Sequence, residues 1–435
     1  MTTGSDRYIL DVVYDSAVIG KLTLDKDSDN LELTYTDEWR QNGFPLSPHL
    51  PLDTVIPSAV IRKYLQNLLP ENQGLDYLIE FLAVSKLNIF ALIGGIGVDA
   101  SGAVMFVHQF TSNQIETTFR PIEDKELIMR LSNPTLWAME IWDERPRLSV
   151  AGVQSKINVL KMNGQLGLGE GDLCSTHIIK FERNDQKHLV INEFVTMRLA
   201  RLVGLETANV ELQYFDKYPA LLVERFDRKL TNDSVKRRHV IDGCQVCNMG
   251  VERKYERNLG KQRDVKHIRD GVSLIKLFQI SEQCENPIAA KLILLDWVLF
   301  NTCVYNCDSH GKNVSFFVSK DGLKPTPFYD LVNVRMYPEF EQDLAMALGS
   351  EFDSDSINAY QLVDFADDCY ISKKILQRRL RKIASAILDN IDIAISMIGD
   401  TSESQRAYMN RYREVIVSRC DHLLEQLDEI PNIEL

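Results

Sequence analysis

The sequence has little of what marks secreted or membrane-spanning proteins. Eight cysteines occur in 435 residues, which is too few for a disulfide scaffold and typical of reduced thiols inside a cell. The start of the chain has no basic segment leading into an apolar core, so we expect no signal peptide. Apolar runs stay well short of the roughly 18 residues that a spanning helix needs. These shortages predict a cytoplasmic protein without a membrane partner.

Positive charge is also in short supply. The chain has 49 lysines and arginines against 62 aspartates and glutamates, a formal net charge of −13. A field of that sign repels phosphate backbones, so we do not expect the chain alone to bind nucleic acid strongly. Residues 235–269 are the exception, because this stretch is locally basic. The stretch indicates either a solvated face or a patch that meets DNA within a complex or an acidic substrate.

Hydrophobic patterning divides the chain into three parts. Residues 1–110 begin with short strand patterns and continue with helical ones, whereas residues 111–228 contain recurring strand-like pieces. One amphipathic helix, over residues 192–203, interrupts that second part and ends at Gly204. Residues 229–435 are mainly helical by the same criterion. The patterns together predict an α+β protein with a helical C-terminal part.

The sharpest motif lies in the third part of the chain. Asp308, His310 and Asn313 form a D-x-H-x-x-N pattern, followed by an apolar strand and then Asp330. Phosphoryl transfer needs one carboxylate to accept the proton of the attacking hydroxyl. It also needs oxygen ligands, such as an amide and a second carboxylate, that hold Mg²⁺ against the phosphates. Each residue alone suits a turn or a helix cap, but the ordered set predicts a site for phosphoryl transfer.

Two segments upstream predict a clamp for nucleotide phosphates. Residues 148–156 lie between strand-like pieces, and their small side chains let backbone N–H groups approach phosphates. An ordinary hairpin turn is the alternative interpretation of this segment. Lys180 ends a strand, where a lysine can pair with phosphates and with a helix glutamate, here Glu193. A solvated lysine at a strand end is the alternative there.

A third segment, residues 221–227, reads as a buried strand that runs into a polar connector. In a two-lobed kinase the hinge between lobes belongs at this point of the chain. Backbone groups of Glu224 and Phe226 would then bond the adenine edge. A plain strand end is the alternative, and the order of elements favours the hinge.

These residues, taken together, resemble the HipA family of bacterial toxin kinases. The strings that carry the resemblance are F-P-L-S-P-H-L-P-L at 44–52, S-V-A-G-V-Q-S-K at 149–156, S-T-H-I-I-K at 175–180, N-E-F at 192–194, R-L-A-R-L-V-G-L at 198–205, V-E-R-F-D-R at 223–228, K-Y-E at 254–256, D-S-H-G-K-N at 308–313 and T-P-F-Y-D at 326–330. They occur in the family's order and spacing, over nearly the whole chain. One departure is Ser155, since the family more often has an acidic residue before the lysine of this loop.

The resemblance implies a two-lobed protein-kinase-like fold. Residues 1–110 would form an extra N-terminal β-containing subdomain, residues 111–228 a nucleotide-binding N-lobe, and residues 229–435 an all-helical C-lobe with the catalytic loop. Asp308 would be the catalytic base, and Asn313 and Asp330 would bind Mg²⁺. The residues implied to bind ATP are Ala151, Gly152, Val153, Gln154, Lys156, Lys180, Glu224, Arg225, Phe226, His310, Lys312, Asn313 and Asp330. Ser149 matches the serine that the family autophosphorylates.

The resemblance also implies a function and partners. The chain would be a serine/threonine protein kinase toxin of a toxin–antitoxin pair, using ATP and Mg²⁺. Its substrate would be an aminoacyl-tRNA synthetase, such as glutamyl-tRNA synthetase, and a HipB-like helix-turn-helix antitoxin would connect it to operator DNA. Two alternatives stay open on the residues alone. One is a co-repressor binding module with weak kinase activity, and the other is a small-molecule or lipid kinase.

Overall fold

The protein folds into two compact units that share the chain between them. The first comprises Met1–Phe181, Tyr214–Val251 and Phe317–Asp321, and the second Glu182–Gln213, Glu252–Phe316 and Gly322–Leu435. The computed structural model describes residues 7–96, 99–110, 116–134, 137, 139, 141–147, 155–182, 186–232 and 234–435. Ser149, Ala151, Gly152, Val153 and Gln154 lie outside these residues. The division of the sequence into three consecutive domains stays a prediction.

The first unit begins with an antiparallel four-stranded sheet of order β3-β2-β1-β4. Its elements are β1 (Arg7–Tyr14), β2 (Ala17–Asp25), β3 (Leu31–Tyr35), α1 (Asp37–Asn42), α2 (Ser58–Gln66), α3 (Gln73–Leu82), α4 (Ile89–Gly95) and β4 (Met105–Val107). Buried and exposed side chains alternate strictly along β3, as expected of a strand with one face on a core. The strands predicted at the start of the chain are therefore confirmed.

The first unit continues with a six-stranded sheet of order β11-β12-β10-β8-β9-β5. In chain order, the elements from residue 118 to residue 246 are β5 (Thr118–Pro121), α5 (Asp124–Ser132), β6 (Ile141–Trp142), β7 (Arg145–Pro146), β8 (Lys156–Met162), β9 (Gln165–Glu170), β10 (His177–Phe181), α6 (Leu189–Val203), β11 (Val210–Phe215), β12 (Tyr218–Glu224), β13 (Arg228–Leu230), β14 (Val235–Arg237), β15 (Val240–Asp242) and α7 (Gly243–Val246). Of these, α6 belongs to the second unit. Trp142, Ile157, Ile179 and Leu222 belong to the core on one face of the sheet. The sheet thus holds the central strands β8, β10 and β12 in a fixed register.

The second unit contains α6 and most of the chain after residue 251. Its further elements are α8 (Leu274–Ile280), α9 (Pro287–Cys303), β16 (Ser315–Ser319), β17 (Gly322–Pro325), β18 (Asp343–Leu348), β19 (Glu351–Asp353), α10 (Ala359–Asp368), α11 (Lys373–Ser396) and α12 (Glu403–Glu425). The chain passes from the second unit into the first within β16. Ile383, Ile387 and Ile391 are buried along one face of α11, because residues four apart lie on the same side of a helix.

The second unit is mainly, but not wholly, helical. β18 and β19 form an antiparallel pair within it, which refines the expectation of an all-helical C-terminal lobe. α6 ends at Gly204, which adopts a left-handed conformation with φ +100°, as predicted from the position of this glycine. In the described part of the chain, no helix has both the length and the hydropathy needed to cross a membrane.

Candidate active site

The candidate catalytic loop begins where α9 ends, at Cys303. The N–H of Asn306 donates to the carbonyl of Asn301 over 2.9 Å, and the N–H of His310 donates to the carbonyl of Asp308 over 2.8 Å. These bonds make the loop turn back tightly after the helix. Because α9 is almost entirely apolar and its C-terminal half is buried, it gives the loop a rigid point of attachment.

The end of the loop is a single 3₁₀ turn, Gly311–Asn313. A side chain at Gly311 would bring its Cβ within 2.7 Å of the side chain of Val272, so only glycine fits this close approach. His310 caps the turn, because its Nδ1 accepts the N–H of Lys312 over 3.3 Å. The glycine and the histidine of D-S-H-G-K-N therefore shape the loop.

His310 is neutral across the physiological pH range. Burial and the cations of Lys254 and Lys312 together lower the pKa of this imidazole to about 3, although the carboxylate of Asp330 acts in the opposite direction. Since Nδ1 accepts a hydrogen bond, the proton of the neutral ring is on Nε2. The geometry supports a role for His310 in ordering the loop, and its predicted contact with ATP stays a prediction.

Asn313 is oriented by the backbone of the loop. Its Nδ2 donates to the carbonyl of Asp308 over 2.8 Å. A carbonyl can only accept, so this bond fixes which end of the amide is nitrogen and points Oδ1 away from Asp308. An amide oxygen held in this way is a suitable ligand for a hard cation such as Mg²⁺.

Asp330 is brought to the end of the loop by the residue before it. The hydroxyl of Tyr329 donates to the carbonyl of Lys312 over 2.7 Å and is 2.6 Å from the hydroxyl of Ser315. Asp330 itself has a φ of +52°, a left-handed conformation that is uncommon outside glycine and is typically retained at functional sites. The structure thus joins Asp330 to the segment that carries Asn313, although the two lie in separate motifs of the sequence.

The residues after Asp330 are held by a side chain that the sequence did not single out. Asn192, on α6, donates from Nδ2 to the carbonyl of Asn333 over 2.9 Å, and its Oδ1 accepts the N–H of Asn333 over 2.8 Å. Its Nδ2 also donates to the hydroxyl of Tyr408 over 2.8 Å. Asn192 is fully buried. A polar residue within a buried helix face was the one signal that could have identified it.

Tyr255 is the second residue of the candidate site that the sequence analysis did not single out. Its hydroxyl donates to Oδ1 of Asp308 over 2.6 Å. Its ring lies edge-on to the ring of His310, with the centroids 5.0 Å apart. The N–H of Gly311 donates to the carbonyl of Lys254 over 2.9 Å, so the K-Y-E segment is fixed to the catalytic loop. The sequence analysis used K-Y-E only as part of the resemblance.

In the first unit, two predicted phosphate-binding lysines are neighbours. Lys156 on β8 lies directly opposite Lys180 on β10, and the two are 4% and 7% exposed. Directly opposed residues share one face of a sheet, so both lysine side chains extend from the same face. Their contact with phosphates stays a prediction. Glu193, the predicted partner of Lys180, belongs to the second unit, and this pairing stays a prediction.

The predicted hinge contains a buried charge cluster. The guanidinium of Arg225 binds both carboxylate oxygens of Asp227, over 3.0 and 2.9 Å, and donates to the hydroxyl of Ser175 over 2.9 Å. Arg228 donates to the same carboxylate over 2.7 Å. Burial alone would raise the pKa of Asp227, but Arg225 and Arg228 hold it well below its ordinary value. The side chain of Arg225 therefore stabilises the first unit.

The neighbours of Arg225 are more open. Glu224 is exposed and Phe226 is half-buried, and the Phe226 ring packs edge-on against Phe317 with the centroids 5.8 Å apart. The N–H of Arg225 donates to the carbonyl of Thr176 over 2.9 Å, which ends the strand pairing at this point. The contacts of Glu224, Arg225 and Phe226 with ATP stay predictions.

Three cations of the locally basic stretch form ion pairs within the second unit. Arg253 pairs with Asp270, Lys261 with Glu341 and Arg269 with Glu256. The guanidinium of Arg257 lies 3.6 Å from the centroid of the Phe352 ring. These contacts favour a structured face over a patch whose charges are all available to DNA.

The oxygen donors at the loop suit magnesium. Among the described residues, no three histidine, cysteine, aspartate or glutamate side chains gather in a way that would hold a metal by themselves. Mg²⁺ at phosphoryl-transfer sites takes one or two protein oxygens and completes its shell with phosphates and water. The amide of Asn313 and the carboxylate of Asp330 meet that requirement.

Two family models match the chain. The HipA N-terminal domain matches residues 10–107, and the HipA-like C-terminal domain matches residues 148–391. The serine/threonine-protein kinase toxin HipA of Shewanella oneidensis is 48% identical over 420 residues, which is 96% of each chain. A putative kinase of Sinorhizobium fredii, Y4mE, is 28% identical over 95% of this chain and 97% of its own length.

A solved structure matches as well. The complex of Shewanella oneidensis HipA and HipB with operator DNA contains a chain that superposes with a TM-score of 0.92, at 48% identity, over 98% of this chain and 100% of that one. Fold and relatives define a serine/threonine kinase with a mixed α and β fold, as expected. The chain belongs to the HipA family.

Proposed function

We propose that this protein is the toxin kinase of a toxin–antitoxin pair and transfers the γ-phosphate of ATP to a protein hydroxyl. The observation that carries the proposal is the arrangement in the second unit. The loop bearing Asp308 and Asn313 is joined to Asp330 through the hydroxyl of Tyr329. Hydrogen bonds thus connect the two sequence motifs that carry these three oxygen-bearing side chains. Phosphoryl transfer requires such groups to be held in position.

In this proposal each oxygen has its own task. The carboxylate of Asp308 is exposed and accepts the proton of the attacking hydroxyl. Oδ1 of Asn313 and the carboxylate of Asp330 hold Mg²⁺, which neutralises charge on the phosphates when it is bound. Lys156 and Lys180 bind phosphate oxygens.

Further contacts complete the proposed nucleotide site. Backbone N–H groups of residues 151–154 cradle phosphates, and backbone groups of Glu224 and Phe226 bond the adenine. His310 and Lys312 order the loop beside the phosphates.

The test of catalysis is transfer of labelled phosphate from ATP with Mg²⁺ to protein, comparing wild type with Asp308→Asn. We expect transfer by the wild type and at least a 100-fold loss in the variant. Equal transfer by the two proteins would contradict the role of Asp308. A wild type that binds the antitoxin and operator DNA but turns over no ATP would favour a co-repressor binding module.

The proposed substrate is an aminoacyl-tRNA synthetase, such as glutamyl-tRNA synthetase, and the proposed site of autophosphorylation is Ser149. A phosphate at Ser149 would add about −1.5 to −2 charges beside the phosphates of ATP and repel them. Phosphoproteomics of cells expressing wild type or Asp308→Asn would identify the substrate. Phosphate on lipids or metabolites, with none on proteins, would favour a small-molecule or lipid kinase.

The proposed partner is a HipB-like helix-turn-helix antitoxin, and the complex would act on operator DNA in the cytoplasm. The related Shewanella oneidensis protein was solved with HipB and its operator DNA. Operator binding should therefore require the antitoxin, because the chain alone carries a net charge of −13. Measuring operator affinity at several salt concentrations, with antitoxin alone and with both proteins, tests this. A chain that binds the operator by itself would contradict it.

A further inference from the structure

The proposed catalytic base already has a hydroxyl group bound to it. Oδ1 of Asp308 accepts the phenolic hydroxyl of Tyr255 over 2.6 Å, a length typical of a charge-assisted O–H···O⁻ bond. In a protein kinase the hydroxyl that donates to this carboxylate is that of the acceptor. Tyr255 therefore presents the same chemical group, in the same hydrogen bond, that an acceptor serine or threonine would present.

The backbone around Tyr255 is firmly held. The carbonyl of Lys254 accepts the N–H of Gly311 over 2.9 Å. Glu256, which is 2% exposed, accepts from Arg269 over 2.6 Å and from the N–H of Ala347 over 2.8 Å. These bonds place the Tyr255 side chain beside Asp308 without help from the tyrosine hydroxyl.

The side chain itself is able to leave. Tyr255 is 36% exposed, and its ring meets the His310 ring edge-on at 5.0 Å. A rotation of the side chain would break the hydrogen bond to Asp308, the ring contact with His310 and the contact with the Lys254 ammonium, which lies 5.6 Å from the ring centroid, while the backbone stays in place. Such rotamer changes of partly exposed side chains are fast on the time scale of catalysis.

We propose that Tyr255 occupies the acceptor-hydroxyl position at Asp308 and thereby excludes water as a phosphoryl acceptor. A protein acceptor brings binding energy from contacts elsewhere and displaces the tyrosine, whereas a water molecule brings none. Tyr255 is thus a specificity-determining residue that distinguishes a protein hydroxyl from water. This inference rests on the function proposed above, because it requires Asp308 to act as the base.

The reaction that Tyr255 suppresses is hydrolysis of ATP. A water bound to Asp308 would give its proton to the carboxylate while its oxygen forms a bond to the γ-phosphorus. The bond between that phosphorus and the β–γ bridging oxygen would break, and ADP would leave. The products are ADP, inorganic phosphate and the proton, which Asp308 then releases to solvent.

The experiment measures ADP release with Mg²⁺ and ATP in the absence of any added protein acceptor. Tyr255→Phe removes the hydroxyl and keeps the ring against His310, and Tyr255→Leu removes both. We expect hydrolysis to rise roughly 10-fold in each variant, since a hydrogen bond to a charged group no longer competes with water. Tyr360→Phe, an exposed tyrosine on α10, is the matched control and should leave the rate unchanged.

A double variant tests whether the increase in hydrolysis depends on the proposed catalytic base, Asp308. Adding Asp308→Asn to Tyr255→Phe should abolish the increase, because the activated water needs the carboxylate. Hydrolysis that is unchanged or lower in both hydroxyl-free variants, with unaltered melting temperatures, would overturn the inference and make Tyr255 a residue that only orients Asp308. If ATP turnover of the wild type does not depend on Asp308, the proposed function fails first, and the inference fails with it.

Discussion

A buried cluster of charged side chains in the first unit differs from an exposed carboxylate in the second unit in how charge is balanced. In the first unit, Arg225, Asp227 and Arg228 have side chains that are 3%, 7% and 0% exposed, and they bind each other. In the second unit, Asp308 is exposed and has Tyr255 as a hydrogen-bond donor. Charges that are buried and mutually bound stabilise a fold, whereas a carboxylate left at the surface of a rigid loop is available for chemistry.

The largest effect should come from the exposed carboxylate of the second unit. Asp308→Asn should lower phosphoryl transfer by about 10²- to 10⁴-fold, the usual contribution of a general base. The melting temperature should change little, because the side chain is exposed and the amide still accepts the hydroxyl of Tyr255. Phosphoryl-transfer assays and thermal denaturation of the same preparations check the expected loss of activity and the unchanged melting temperature. A large loss of stability would show that Asp308 also stabilises the fold, and would remove its contrast with the buried charge cluster of the first unit.

The next effect should come from the buried cluster of the first unit. Asp227→Asn removes the buried carboxylate that both guanidiniums share and leaves them the more distant Asp99, at 3.4 and 3.9 Å. It should lower the free energy of unfolding by about 3–5 kcal/mol. The matched control is Asp392→Asn, whose carboxylate pairs with Arg413 at the surface and should cost about 0–1 kcal/mol. Chemical denaturation measures both. Equal effects of the two substitutions would contradict the structural role of the cluster.

The contribution of the same charge cluster should also be measurable in the wild type, from the loss of stability at acid pH. The pKa of Asp227 is lowered in the folded state, so its contribution to stability is fully present above the ordinary carboxyl pKa. That contribution is lost as the pH falls below it towards the folded-state pKa. The free energy of unfolding, measured from pH 6 down to pH 3, should therefore fall less steeply in Asp227→Asn than in the wild type.

A smaller effect should follow from the residue that holds the segment after Asp330. Asn192→Ala removes two hydrogen bonds to the backbone of Asn333 and should raise the Mg²⁺ concentration for half-maximal transfer by about 10- to 100-fold. Asn390→Ala is the control, because its amide also bonds a backbone carbonyl, within α11. An unchanged Mg²⁺ requirement in Asn192→Ala would show that this side chain only stabilises the fold.

The smallest effect concerns the half-buried carboxyl of Glu182. Burial raises the pKa of Glu182 to about 7, although the N–H groups of His188 and Val190 oppose this. The contribution of Glu182 to stability is therefore greatest below its unfolded-state pKa and falls as the pH rises from about 4.5 to about 7. Glu182→Gln should remove that dependence and stabilise the protein by about 1–2 kcal/mol at pH 8. The same pH dependence of stability in Glu182→Gln and the wild type over this range would contradict the assignment.

The parts of the fold that the sequence predicted are those set by local periodicity. The strands at the start of the chain form, with alternating buried and exposed residues along β3, and α6 ends at Gly204. Long helices such as α11 dominate the last part of the chain. The pair β18 and β19 was not predicted. It is short, and one of its strands is bonded to distant segments, as the N–H of Glu256 donates to the carbonyl of Ala345.

The candidate site also contains residues that the sequence predicted and residues that it did not. Asp308, Asn313 and Asp330 were predicted because their order and spacing follow the needs of phosphoryl transfer. Tyr255 and Asn192 were missed because each acts across more than 50 residues, on Asp308 and on Asn333 respectively. Arg225 was assigned to ATP by position in a motif, and only the fold shows its bonds to Asp227.

The most direct test of the account is a calorimetric titration with a non-hydrolysable ATP analogue, with and without Mg²⁺. If Asn313 and Asp330 hold the metal, Mg²⁺ should strengthen binding to the wild type and to Asp308→Asn. The same addition should do little for Asn313→Ala or Asp330→Asn. Binding that Mg²⁺ strengthens equally in all four proteins would show that these oxygens do not form the magnesium–nucleotide site.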